Sequence, residues 1–146
     1  GETNSGKLIT PPINITNPVK AWLMLYNPSK QCGNQCLQSL WQIQQTHTLL
    51  ASEGDRVQTY LTSSIQASIH TIQGEQPITL NDIRPPQVLT TVIDMPALQP
   101  NTLYLVDPLG NAFMRYQFPT DHQNAVNVSA GLLKDIKRLL KISKIG

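Results

Sequence analysis

Ionised side chains are scarce in this chain: only 14% of its 146 residues are Asp, Glu, Lys or Arg. Eleven basic residues against nine acidic ones leave a formal charge of +2. That is too little for a binding mode built on phosphate neutralisation, so nucleic acid is not an expected partner. Long apolar runs are missing too, and none approaches the roughly 18 residues of a membrane-spanning helix. Cysteine is limited to two residues, which excludes a disulfide-framework miniprotein and a four-cysteine zinc site. No paired carboxylates, Ser/His/Asp arrangement, phosphate-cradling glycine loop or zinc helix motif stands out.

What is present is 40% hydrophobic residues among many Gln, Asn, Ser and Thr, enough for one domain with its own core. Eleven prolines and eight glycines argue against a plain helical bundle. The chain opens on Gly rather than Met, which we read as a processing boundary. Residues 1–18, with Pro11, Pro12 and Pro18, read as a flexible tether ahead of a domain over 19–146. Asn14-Ile15-Thr16 and Asn127-Val128-Ser129 are formal glycosylation tripeptides of a kind common by chance.

Lys20 to Tyr26 is a short apolar run that predicts a buried strand. From about Cys32 to Glu53 the spacing is helical. Cys36, Leu40, Ile43, His47 and Leu50 form its stripe, Leu37, Trp41 and Ala51 widen it, and Gln38, Gln42, Gln45 and Ser52 fall outside. Gly54 reads as its terminator. Arg56 to Leu61 predicts a second strand, parallel to the first through the crossover helix. Residues 62–94 are mixed: Ser64–Ile72 suits a short helix, and Gln87–Ile93 suits either a helix or an edge strand. Thr102–Val106 and Ala112–Phe118 predict a hairpin about the turn Asp107–Asn111. Pro119–Val128 reads as a polar loop before a final helix that begins at Ser129 or Ala130. Leu132, Leu133, Ile136, Leu139 and Leu140 are its apolar face. The sum is an α/β, thioredoxin-like arrangement: a central mixed sheet with parallel N-terminal strands, an antiparallel C-terminal hairpin and flanking helices.

Cys32 and Cys36 carry the obvious chemistry, between the first strand and the long helix. Residues four apart share a helix face with β-carbons roughly 5–6 Å apart. A disulfide needs about 3.5–4.5 Å, a gap that a small adjustment beside Gly33 closes. Unpaired N–H groups at a helix start, with Lys30 near, favour a thiolate. Three roles stay open for the pair: thiol–disulfide exchange, a soft clamp for Cu(I), and inert packing.

The stretch WLMLYNPSKQCGNQC with its long helix resembles the redox strand, loop and helix of Sco-type proteins. LYLVDPLGNAFMRY is similar to their hairpin, and GLLKDIKRLLKISKIG resembles the C-terminal helix of small Sco-like proteins of proteobacteria. The resemblance spans roughly Lys20 to Gly146. It implies a thioredoxin fold anchored at the inner membrane, facing the periplasm, with an oxidase subunit or assembly factor of cytochrome c oxidase as protein partner. The membrane attachment would lie in a segment preceding Gly1. It also implies exchange or Cu(I) transfer through Cys32, as exposed nucleophile, and Cys36, as resolving thiol. Two departures stand out. The spacer Gly33-Asn34-Gln35 lacks the family's prolines, and the third copper ligand, a His, falls near Gln99. Cu(I) held by Cys32 and Cys36 with Met95 is what remains of the metal site. Pro100 is the residue nearest the position of the thioredoxin cis-proline.

His47 lies on the helical stripe and reads as a satisfied, partly buried side chain. His122, beside Asp121, reads as a surface residue whose loop can approach the cysteines. His70 lies in a polar segment, Asp107 makes a turn, and Asp94 sits on the expected site side. Lys134, Lys137, Arg138, Lys141 and Lys144 read as the solvated face of the last helix, with contact to anionic lipid or an acidic partner as the alternative. Beside the Sco-like reading stand a redox-degenerate interaction module and a conventional thioredoxin-type oxidoreductase.

Overall fold

The apolar run before the cysteines becomes the middle of a sheet. A computed structural model describes residues 6–15, 19–65, 83–89 and 98–143. In chain order the elements are β1 (Lys7–Asn14), β2 (Trp22–Asn27), α1 (Asn34–Leu49), a 3-10 helix (Ala51–Arg56), β3 (Val57–Leu61), β4 (Gln87–Val88), β5 (Thr102–Val106), β6 (Asn111–Gln117) and α2 (His122–Ile142). They build one six-stranded sheet in the order β1-β6-β5-β2-β3-β4. β2, β3 and β4 run parallel, while β5 and β6 form the antiparallel hairpin beside β2.

Strand alternation sorts the core into two layers. Met24 and Tyr26 of β2 and Leu103 and Leu105 of β5 point toward α1 and α2, with Leu40, Ile43, Leu132 and Ile136 above them. Leu23, Leu25, Tyr104 and Val106 face the other way, joined by Ala112 and Leu89. Burial on both faces is why Leu23 to Tyr26 reads as an unbroken apolar run.

The chain direction reverses from β2 to α1 and again from β6 to α2. Because β6 is parallel to β2, the two helices run side by side in the same sense, and both begin at one edge of the sheet. Thr46 of α1 and Ser129 of α2 share a hydrogen bond of 2.7 Å. At the far end, the Arg56 guanidinium donates to Leu140 O and Ser143 O, both at 3.0 Å, and closes the C-terminus of α2.

Four expectations need correction. Residues 7–14 are not a tether: they form β1, antiparallel to β6, with Ile9 and Ile13 packed on the lower core. Pro11 and Pro12 permit this because β1 is an edge strand, and its register slips between Leu8 and Ile13 around them. The last helix starts at His122, not Ser129. Asp121 caps it, accepting from the Asn124 N–H at 2.9 Å, a start signal hidden by the polar sequence around it. The first helix ends at Leu49, where Ala51 takes φ 52°, and Gly54 lies inside the following 3-10 helix. Gln38 and Gln42, expected outside the buried stripe, are enclosed because α2 covers that flank. There Gln42 donates to Gln38 Oε1 at 2.9 Å, and Ser129 of the second glycosylation tripeptide is buried as well. Most of the Ser64–Ile72 segment lies outside the described residues; Gln87 and Val88 settle as edge strand β4.

Candidate redox site at the start of the first long helix

Parallel strands deliver the chain to their C-terminal edge, and the helix that returns from β2 begins there. The connection is Pro28 to Gln31, braced by Ser29 Oγ donating to Gln31 O at 2.7 Å. Cys32 follows, Gly33 is the N-cap, and Cys36 lies in the first turn of α1. The two sulfurs are bonded at 2.07 Å, with Cα atoms 5.0 Å apart. The expected closure is therefore made, at the place the sequence indicated.

Exposure is where the expectation fails. Cys32 is 0% exposed and Cys36 1% exposed, so in the disulfide form neither is an open nucleophile. Cys32 turns under the first helical turn and joins Tyr26, Leu37 and Leu40 in the upper core. Gly33 is half-buried between exposed Gln31 and Asn34. A β-carbon placed on Gly33 would meet no atom within 4 Å. With both sulfurs enclosed, reaction at either requires the surrounding chain to open.

No side chain caps α1 and its first turn holds no acidic residue. Those N–H groups and the positive helix end remain available to a thiolate formed on reduction. Gly33→Ser supplies a capping hydroxyl and is expected to raise stability by a few tenths of a kcal/mol. It also occupies an N–H that would otherwise serve the thiolate. A slower reaction of the reduced protein with a chromogenic disulfide, alongside an unchanged or higher midpoint in urea, would register both effects.

Around the pair, amide side chains hold the loops in register. Asn27, the last residue of β2, donates to Leu98 O at 3.1 Å and Gln99 O at 2.9 Å, and accepts from Thr62 Oγ1 at 2.7 Å. Gln35, in the cysteine spacer, donates to Phe118 O at 3.3 Å and accepts from Asn101 Nδ2 at 3.4 Å. Asn101, at φ 53°, accepts from the Tyr26 hydroxyl at 3.3 Å. Burial pushes the Tyr26 phenol up to about 12, against a lowering hydrogen bond with Ser39. Asn27→Ala removes three hydrogen bonds at about 1 kcal/mol each, so a loss of about 3 kcal/mol is expected in urea unfolding. Asn14→Ala, whose amide bonds Asn111 in an exposed setting, should lose far less.

Other sequence candidates disperse. His47 Nε2–H donates to Gly54 O at 3.0 Å and Val57 O at 2.9 Å, so it is a brace near the C-terminal end of α1. His122 is the first residue of α2, held in a helix instead of a mobile loop. Asp107 makes its turn, accepting from the N–H groups of Leu109 and Asn111 at 2.9 Å each. Gln99 holds its place through its backbone, its N–H donating to Tyr104 Oη at 2.8 Å while its side chain is exposed. The Gln99–Pro100 bond is trans; among the described residues only Thr10–Pro11 is cis. Met95, His70, Asp94 and Lys144 lie outside the described residues. Among the described residues no three His, Cys, Asp or Glu side chains gather as a metal site, and no helix is long and apolar enough to cross a membrane. Sequence reading missed Asn27, Gln35 and Asn101. The one available signal was that each flanks the cysteine loop or the strand facing it.

Searches of curated proteins and of solved structures returned no match. Residues 22–143, from the first residue of β2 to the residue that follows α2, match a family described as transmembrane-like, thioredoxin-like, C-terminal domain. With that span, this sheet order and a disulfide at the entry of its first long helix, the chain belongs to the transmembrane-like, thioredoxin-like C-terminal domain family.

Proposed function

We propose that the protein performs thiol–disulfide exchange through Cys32 and Cys36 on a protein partner, in the manner of Sco-like factors. In this reading it acts in the periplasm, anchored at the inner membrane by a segment preceding Gly1, and serves cytochrome c oxidase assembly. One observation carries the exchange reading: two sulfurs joined at 2.07 Å at an uncapped helix start, inside a thioredoxin-like domain. The membrane and oxidase parts are supported by the likeness of the cysteine strand, the hairpin and the last helix to Sco-type proteins.

The exchange balances as a two-electron transfer. With the protein reduced, the Cys32 thiolate attacks a disulfide of the partner, forming one mixed disulfide and releasing one partner thiolate. The Cys36 thiolate then attacks the Cys32 sulfur and displaces the second partner thiolate. The partner leaves as a dithiol and the protein as the disulfide. The reverse direction starts from a partner thiolate attacking the protein's bond and needs the Cys32 loop open.

The described donors suit Cu(I) as cargo on two thiolates better than a site completed by imidazole, since Gln99 stands near the expected His. Met95 is the proposed third donor. The complete burial of both sulfurs favours a second reading, an interaction module whose disulfide is structural.

Thiol counting with and without reductant tests these readings. Two thiols should appear only after reduction and vanish reversibly in a glutathione redox buffer. Two thiols that remain reduced and unreactive in oxidant would overturn the exchange reading. Full complementation of a deletion by a Cys32→Ser, Cys36→Ser variant would select the module. One tight Cu(I) equivalent against a competing chelator, lost in that variant, would select copper transfer.

A further inference from the structure

Four cations fall at positions 134, 137, 138 and 141, the i, i+3, i+4, i+7 pattern that places residues along one line of a helix. In α2 the side chains of Lys134, Lys137, Arg138 and Lys141 are all exposed. None has a carboxylate partner among the described residues, where the one ion pair is Arg56–Glu53. Asp135, the acidic residue within this stretch, is turned away: it accepts from the Tyr116 hydroxyl at 2.5 Å. The stripe therefore keeps its charge. It also leads to an apolar end. Ile142, next to Lys141, is 73% exposed. Arg56 fixes this end of α2 through its bonds to Leu140 O and Ser143 O.

A line of cations running into an exposed aliphatic side chain is the chemistry of a surface that lies on a bilayer. The cations meet anionic headgroups and the aliphatic side chain enters the acyl boundary. A helix C-terminus is satisfied by one or two cations in its last turn. Lys134 lies two turns inside and is left unexplained by that account. We propose that the C-terminal half of α2 is a peripheral docking surface for an anionic phospholipid bilayer, with Ile142 at its inserting end. Lys134 lies about 18 Å along the helix axis from His122. Docking through this stripe leaves the edge that carries the Cys32–Cys36 bond clear of the lipid. The assignment does not depend on the redox reading.

The test uses the whole chain with vesicles of 30% phosphatidylglycerol in phosphatidylcholine, measured by co-sedimentation at low salt. Binding is expected to the anionic vesicles, with none to pure phosphatidylcholine and loss of binding at high salt. Lys134→Gln with Lys141→Gln should lower partitioning by about 25-fold, fivefold for each charge removed. Lys7→Gln with Lys20→Gln makes the same change in net charge off the stripe and should leave binding within about twofold. Circular dichroism on both double variants checks that each is folded. No binding at low salt would overturn the proposal, as would equal weakening by the two double variants or equal affinity for neutral vesicles. Binding to soluble poly-glutamate as tight as to the vesicles would also overturn it, and would assign the stripe to an acidic protein.

Discussion

Raising the pH from 9 to 12 is expected to remove up to roughly 5 kcal/mol of folding stability, with most of the fall above pH 10. The cause is two phenols. Burial pushes Tyr26 up to about 12, and Tyr116 is raised further by burial and by Asp135, whose carboxylate takes its hydroxyl at 2.5 Å. In the unfolded chain a phenol ionises near 10. A group whose folded pKa lies above its unfolded value contributes stability that is complete below the unfolded pKa and is lost as the pH climbs toward the folded one. Each tyrosine therefore gives a slope approaching about 1.4 kcal/mol per pH unit between 10 and 12. Urea unfolding at pH 8, 10 and 11 should show the decline, and Tyr26→Phe should remove about half of it. A flat profile from 8 to 11 would mean that neither hydroxyl is held as the structure places it.

The second large effect is on trapping. Cys36→Ser, incubated with glutathione disulfide, is expected to accumulate a mixed disulfide at Cys32, because nothing remains to resolve it. The native protein should show none at equilibrium. Cys32→Ser should give at least tenfold less adduct, since Cys36 lies one turn further into the helix. Intact mass measurement reads both. Stability bears on the same cycle. The bond closes a loop of separation 4, and chain entropy assigns such a loop only about 2 kcal/mol. Reduction should leave the domain folded, as a protein cycling between two redox states requires. Unfolding on reduction alone would make the bond a structural staple. Equal adduct yields from the two serine variants would remove the assigned order of attack.

Patterned elements were legible in the sequence, and relations between elements were not. β2, β3, β5 and β6 announced themselves by short apolar runs bounded by turn residues, and the hairpin turn by Asp107, Pro108 and Gly110. The disulfide followed from spacing at a helix start. The burial of Cys32 did not, because exposure depends on how the Ser29–Gly33 loop folds over the core and leaves no local pattern. Gln38 and Gln42 illustrate the same limit. Their polarity pointed to solvent, yet α2 packs across them, and only the neighbouring helix decides that. Asp121 was readable as a cap, but the polar run after it hid seven residues of helix ahead of Ser129. β1 failed for the opposite reason. Two prolines outweighed a weak apolar pattern, although an edge strand tolerates them.

β1 lies outside the span matched to the family, and it has a bearing on self-association. It occupies the flank of β6 that would otherwise offer a row of unpaired backbone groups to a second molecule. The new border it creates carries Pro11 and Pro12, which have no N–H to give an incoming strand. A chain clipped near Ile15 would regain a sticky margin along β6. The prolines that disguise this segment in the sequence thus act as its guard against fibril-like stacking.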